Sequence, residues 1–476
     1  MPKAHGKKGM AHIMFIGRDA ELSKLNELFA SDKYECVIVY GRRRVGKTTL
    51  IKEFIKGKKA IYFLAREAAG TINLINFSSD VYAVTAKELK GNAFFSDWEK
   101  AFDYIHGLAS QERIILVIDE FPYLANGYRP ISSIIQAHID EQFKDGKLFL
   151  ILCGSSMSFM EEQVLAYKSP LYGRRTAQFK ILPFSFYDAL PFFQGFSKEE
   201  KAILYGITGG IPEYLNKINV RKSLRKNIID LYLAASGHLF EEPSNLLKQE
   251  LREPMTYNGI IAAIAGGASR LNEIAGKCGI ESNKCAKYLN SLISLNIVKK
   301  EWPITETASS KRSIYLLDDM MFRFWYRFVF PNMSGIESGL GEAIYDLEVK
   351  ENLAAYMGLV FEDICKQYIN EQAKNNATPV LPSKIGRWWG NNPQEKRQEE
   401  IDILSYRKED ALFCECKWTQ SPVGMDVLVD LQRKSDLFPY TNKWFWLFAK
   451  TDFSDGLKAE AKARDNIRLV CLDAMV

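Results

Sequence analysis

From residue 15 to about residue 185, short apolar runs alternate with stretches of helical periodicity. The runs "YECVIVYG" (34–41), "KAIYFLA" (59–65), "RIILVIDE" (113–120) and "KLFLILCGSS" (147–156) are apolar on both faces. That is the pattern of strands covered on both sides in a parallel sheet. The helical segments between them predict βαβ units, so 15–185 reads as an α/β domain. Residues 186–253 read as a helical lid, broken at "GITGGIPEYL" (206–215). Three short helical patterns and two strand-like runs over 254–320 predict a helix-turn-helix followed by a β-wing. Residues 321–350 read as a helical connector, and 351–476 returns to an α+β pattern with a hairpin at 399–418. Residues 1–14 read as a loose tail.

Composition narrows this picture only slightly. The chain has 476 residues, 47% hydrophobic and 25% charged, with a net charge of +5. At roughly 100–200 residues per domain, this length predicts about three domains. The charge is compatible with nucleic acid and does not argue for it. Eight cysteines are scattered without CxxC spacing, which fits reduced thiols in a cytoplasm better than disulfides or zinc. The basic N-terminus lacks the apolar run of a signal peptide. "MFRFWYRFVF" (321–330) is too short to span a bilayer and reads as a buried aromatic helix. The expectation is a cytoplasmic, soluble protein with no membrane partner.

The chemistry begins at "GRRRVGKTT", Gly41 to Thr49. Gly41 and Gly46 are separated by four residues and followed by Lys47 and Thr48, after an apolar strand and before a helical run. This is the phosphate-binding P-loop in its required context. Backbone N–H groups over Arg42, Arg43, Arg44, Val45 and Gly46 would cradle the phosphates of ATP, with Thr49 opening the helix. The three arginine side chains are free to point outward. Lys47 would reach the β- and γ-phosphates, and Thr48 would ligate Mg²⁺. "IILVIDE" ends in two acids: Asp119 to hold Mg²⁺ indirectly, and Glu120 to activate water.

"FIGRDAEL" (15–22), the P-loop, the "DE" strand, "CGSSMSFM" (153–160), "SPLYGRRT" (169–176) and "GGIPEYL" (209–215) occur in that order. Together they resemble the prokaryotic AAA-like ATPases of the STAND and origin-recognition neighbourhood, over about the first two-thirds of the chain. The resemblance implies that Gly17 and Arg18 pack by the adenine, and that Ser155 or Ser156 senses the γ-phosphate. Arg174 or Arg175 would be an arginine finger offered to a neighbouring copy in a homo-oligomer. Gly210 and Pro212 would shape the pocket from the lid. The segment 254–320 resembles the winged-helix module that often follows such a core. Asn283, Lys284 and Lys287 would face a groove or phosphates, unless the module packs as a lid or binds protein.

The hairpin "EEIDILSYRKEDALFCECKW" (399–418) carries a second candidate site. A turn at Lys408–Glu409 puts Asp402 opposite Glu415, an unfavourable pairing of like charges. Period two places Asp402, Glu415 and Lys417 on one face, and Ile401, Ile403, Cys414 and Cys416 on the other. With Glu362 on an upstream helix, this resembles a PD-(D/E)xK nuclease domain, which implies an α+β restriction-endonuclease-like fold over 351–476. It further implies that Asp402 and Glu415 hold Mg²⁺, Glu362 completes or orients the site, and Lys417 assists water and stabilises the phosphate. Gln432 would orient Lys417 or the phosphate. Glu400, opposite Lys417, would neutralise it. Three readings fit: an active nuclease on nucleic acid, DNA ahead of RNA; a nuclease-like domain that only binds within an ATP-driven regulatory switch; or a plain charged hairpin.

Overall fold

The computed structural model describes residues 15–476, and the predicted tail at 1–14 lies outside the described residues. Two compact units divide the chain, the first ending at Leu182 and the second running from Pro183 to Val476.

The first unit is built on a five-stranded, all-parallel sheet: β1 (Glu35–Tyr40), β2 (Ala60–Leu64), β3 (Ile114–Asp119), β4 (Leu148–Gly154) and β5 (Ala177–Lys180). The order is β2-β3-β4-β1-β5. Every residue of β1, β3 and β4 is buried, which is why these three read as unbroken apolar runs. Strand β5 was not anticipated. It has four residues at the sheet edge and is only half-buried, so it carries no apolar run. The register sets Tyr40 beside Gly154 and Ile118 beside Leu152, so β1, β3 and β4 end level. Their C-terminal loops therefore open onto one crevice, where open α/β sheets bind ligands.

In the second unit, Gly210 follows the helix Lys198–Thr208 with φ 70°, and a Cβ there would lie 2.1 Å from the Phe184 carbonyl oxygen. Only glycine fits that approach. The segment 254–320 forms helices Pro254–Ala265, Leu271–Cys278 and Ser282–Ser294, then an antiparallel ribbon of β6 (Val298–Glu301) and β7 (Ile314–Leu317). The aromatic run lies in the helical stretch from Met320 to Val329, with Phe322, Phe324 and Trp325 buried as expected.

A 25-residue helix, Lys350–Lys374, leads into the second sheet. Its strands are β8 (Lys384–Asn392), β9 (Arg397–Arg407), β10 (Asp410–Lys417), β11 (Asn442–Ala449) and β12 (Ile467–Cys471). The order is β12-β11-β10-β9-β8. Strands β8, β9 and β10 form an antiparallel meander, and β11 and β12 extend it in parallel with β10. Leu428 and Leu431 of the helix Met425–Ser435 join Ile401, Leu404, Phe413 and Phe445 in one core. The long helix sets Phe361 against Trp418 and Tyr368 against Phe448, with ring centroids 5.2 and 5.9 Å apart.

The β9–β10 register follows the expected hairpin. Cys414 pairs with Ile403 at the end of the ladder, Lys408 takes φ 54° in the turn, and Asp402 and Glu415 each lie one residue beyond that last pair. Strict alternation fails on the other edge of β9. Gly386 pairs with Leu404 but Trp388 pairs with Ile401, so two residues, Asp402 and Ile403, oppose the single Arg387. This β-bulge lets Ile401 and Leu404 share one apolar core, in place of the predicted Ile401–Ile403 face.

Candidate functional site

The P-loop follows β1 directly. A Cβ on Gly41 would lie 2.3 Å from the Ile181 carbonyl oxygen, so the first glycine of the motif is required by a chain crossing as well as by anion access. Lys47 is buried, and its Nζ donates to the carbonyls of Gly41 (2.8 Å) and Arg42 (3.0 Å). It thus sits folded within the loop whose anion it would meet. The outward orientation predicted for the arginines fails. Arg42 is 2% exposed, and Arg43 Nη2 donates to the Tyr123 hydroxyl at 2.6 Å. Arg44, at φ 72°, is half-buried. The loop is short and pressed against the sheet, so its side chains have little solvent to reach. Thr48 and Thr49 are exposed at the mouth.

Thr48 Oγ1 donates to Asp119 Oδ2 at 2.9 Å. The same carboxylate oxygen accepts from the Tyr62 hydroxyl, and Oδ1 accepts from the Glu120 amide at 2.9 Å. Asp119 is therefore 1% exposed yet fully engaged. Glu120 has φ 52°, and its Oε2 accepts from Ser155 Oγ (2.8 Å) and Ser155 N (3.3 Å). Of the two serines, Ser155 meets Glu120, whereas Ser156 starts a short helix without a side-chain cap. Thr48 and Asp119 present hard oxygen donors beside Lys47, a donor set that fits Mg²⁺. Gly17 and Arg18 both have positive φ, and Arg18 Nη2 ties the P-loop (Val45 O, 3.2 Å) to the Leu182 carbonyl.

Arg174 is not available as a finger in this arrangement. Its guanidinium grips Asp140 in bidentate fashion, Nε to Oδ1 at 3.1 Å and Nη2 to Oδ2 at 2.6 Å, and also donates to the Pro170 and Tyr172 carbonyls. The Arg174 hydrogen bond pulls the Asp140 pKa down to about 2. Among the described residues, Arg175 makes only a long hydrogen bond to the Leu165 carbonyl (3.5 Å) beside the Tyr172 ring. Gly210 and Pro212 lie in the second unit, the former against Phe184 and the latter opening the short helix Pro212–Leu215.

The acidic cluster sits wholly within the second unit. Glu362 comes from the long helix, Asp402 from the bulge in β9, and Glu415 and Lys417 from β10. Burial, then the charge of Asp402, pushes the Glu362 pKa up to about 8. Burial also raises Asp402 and Glu415, and Asp402 adds to the rise of Glu415. Yet each acid already has a partner. Asp402 Oδ2 accepts from the Cys416 amide at 2.8 Å. Lys417 Nζ lies 2.7 Å from Glu415 Oε1, and Lys434 Nζ lies 3.8 Å from Oε2. Arg387 on β8 reaches Glu362 (3.7 Å) and pairs closely with Glu400. Among the described residues, no three Asp, Glu, Cys or His side chains form a group that could hold a metal ion. The donor set as placed does not fit a second Mg²⁺.

Two sequence expectations change here. Glu400 pairs with Arg387 of the neighbouring strand β8, whereas Lys417 pairs with Glu415 on its own strand. Gln432 is not the residue that meets the acids: its carbonyl accepts from Ser435, while Lys434, two positions on, reaches Glu415. Arg387 and Lys434 were missed. "RWWGNNPQEKRQ" does carry an Asn-Asn-Pro turn signal between two strand-like runs, which would have revealed β8. Asn283, Lys284 and Lys287 are exposed on the helix Ser282–Ser294. All eight cysteines are free. Among the described residues, no helix is long and apolar enough to cross a membrane.

Comparison with known proteins agrees with this architecture. Residues 15–218 match the family described as an ATPase domain predominantly from Archaea. Residues 325–428 match archaeal and bacterial proteins of unknown function. An uncharacterized protein of Methanocaldococcus jannaschii is 37% identical over 435 residues, covering 89% of this chain and 92% of its own. The Walker-type ATPase of Pyrococcus abyssi is similar in fold, with TM-score 0.50 at 20% identity, over 66% of this chain and 96% of that one. The ORC2 protein of Aeropyrum pernix aligns with TM-score 0.43 at 13% identity, over 69% and 98%.

Proposed function

Since this chain belongs to the archaeal-type ATPase family, we propose that it is an ATP-hydrolysing switch whose nucleotide state controls the second unit, and that the C-terminal domain acts on nucleic acid. ATPase function is supported by the matched ATPase domain and by the P-loop fold shared with the Walker-type neighbour. The observation that carries the reading is the Thr48–Asp119 hydrogen bond at 2.9 Å beside buried Lys47. Bound Mg²⁺ would supply positive charge to the phosphates from the Thr48–Asp119 pair. Lys47 exchanges two loop carbonyls for phosphate oxygens. Glu120, once released from Ser155, orients and deprotonates the attacking water. The expected result is loss of ATP binding and turnover in Lys47→Ala. Glu120→Gln should bind ATP but turn it over about 10²–10⁴-fold more slowly. Turnover persisting in Lys47→Ala removes the site.

For the C-terminal domain, the resident cations favour binding without cutting. Arg387 and Lys417 already neutralise the acids that a divalent ion would need. A cutting reading rests on one observation: three crowded carboxyl groups and a lysine lie along β9, β10 and the helix facing them, with raised proton affinity. Incubating the full chain with labelled DNA and RNA, with Mg²⁺ or Mn²⁺ and with or without ATP, decides between them. Cleavage abolished by Glu415→Ala establishes the second reading. Retention of intact strands under all conditions establishes the first.

A further inference from the structure

The ribbon after the third helix of 254–320 does not stand free. Its connecting loop lies along β8: Ile304 N donates to the Arg387 carbonyl at 3.0 Å, and the Tyr406 hydroxyl donates to Ile304 O at 3.2 Å. Two cavities run along this seam. The larger, about 440 Å³, is lined by Lys300, Trp302, Lys366, Lys384 and Arg387 among others. The other, about 210 Å³, shares Lys366 and Arg387 and continues to Glu362 and Asp402.

The charges of the larger cavity do not cancel. Its acids are engaged elsewhere: Glu301 lies 2.7 Å from Lys299, and Glu306 pairs with Arg312. Lys300, Lys366 and Lys384 make no ion pair among the described residues. Lys300 and Lys384 instead rest over the rings of Tyr315 and Tyr406, at 5.9 and 6.0 Å. Three ammonium groups in one concave, low-dielectric seam focus a positive potential. Half-buried Trp302 adds an aromatic surface beside them. Cations tracking a backbone with an aromatic platform for bases are the elements of single-strand recognition. Nucleotide-sized hollows of this kind have no room for a duplex, and stacking on a side chain requires an unpaired base.

We propose that the seam between the β6–β7 ribbon and β8 binds single-stranded nucleic acid. Lys300, Lys366 and Lys384 hold backbone phosphates, Trp302 stacks a base, and the strand runs toward Glu362 and Asp402. This rests on the nucleic-acid reading given above and names the form of the ligand and its path.

The test is fluorescence anisotropy with the full chain and labelled 20-mers of oligo-dT, oligo-rU and duplex DNA, from 0.05 to 1 M salt. The variants are Lys300→Gln/Lys366→Gln/Lys384→Gln and, as control, Lys87→Gln/Lys90→Gln/Lys100→Gln at exposed positions of the first unit, with thermal melts to show that both fold. Each lost single-strand phosphate contact removes about 0.7 from the log–log salt slope, so the triple variant should lose about 2 and bind roughly a hundredfold more weakly at 0.1 M salt. The control should match wild type, and the oligo-dT and oligo-rU arms report whether the 2′-hydroxyl matters. Wild-type affinity in the triple variant overturns the seam while leaving nucleic-acid binding intact. Absence of binding to any strand overturns both. Displacement of oligo-dT by polyglutamate at matched charge shows a general polyanion surface and also overturns the proposal.

Discussion

Replacing Glu362 with Gln should stabilise the protein in mildly alkaline solution and change little at pH 5. The carboxyl has an ordinary value of 4.5 and is pushed up to about 8 by burial and by Asp402. An acid whose folded-state pKa is raised is at no disadvantage while it is protonated, below pH 4.5. As pH rises toward 8, the unfolded chain releases this proton and the folded chain keeps it. Since stability changes with pH as the protons bound unfolded minus those bound folded, it falls across that window. At about 1.4 kcal/mol per unit, the accumulated cost at pH 8 approaches roughly 4 kcal/mol. Gln copies the protonated shape and carries no charge to desolvate, so Glu362→Gln removes that cost, while Arg387 keeps its contact with Glu400. The assay is a thermal melt of both proteins at half-unit steps from pH 5 to 9. The curves should coincide near pH 5 and separate by on the order of 10 °C near pH 8. Parallel curves across the whole range would refute the argument, because they would mean that Glu362 ionises normally in the folded protein.

Two further outcomes follow from the first unit. Arg174→Ala should lower stability by up to about 1 kcal/mol, as expected for a partly exposed ion pair, and this loss should shrink as pH falls below about 3.8 toward 2, where the folded chain begins to protonate Asp140. Melts at pH 7 and pH 2.5 check it, and an equal loss at both would show that the guanidinium stabilises by packing instead. Gly41→Ala should cost about 1–3 kcal/mol through collision with the Ile181 carbonyl, visible as a lower melting temperature without nucleotide. An unchanged melt would mean that the crossing relaxes.

The P-loop and the acidic end of β3 were legible because their sequence signals are local. A strand, a glycine-rich loop and a helix are consecutive in the chain, and Asp119 announces itself at the end of an apolar run. The hairpin register from Asp410–Arg407 to Cys414–Ile403 was legible for the same reason, since a two-residue turn fixes its own register. What failed depends on neighbours distant in sequence. Arg387 reaches Glu362 and Glu400 only because β8 lies beside β9, and the bulge at Asp402–Ile403 is a property of that pairing. Arg174 and Arg175 are adjacent in sequence, and Asp140, 34 residues earlier, decides which of them is bound. The burial of Arg42 follows from packing that no motif encodes.

Arg387 also ties two kinds of ligand together. An anion that draws its guanidinium away leaves Glu362 without that counter-charge, so the proton affinity of Glu362 rises. Anion uptake and proton uptake at this point of the sheet are then a single coupled equilibrium. By reciprocity, whatever factor the anion adds to proton affinity, the proton adds to anion affinity. Ligand binding near pH 8 would draw protons from the buffer, and its measured heat would change with the buffer's own ionisation enthalpy.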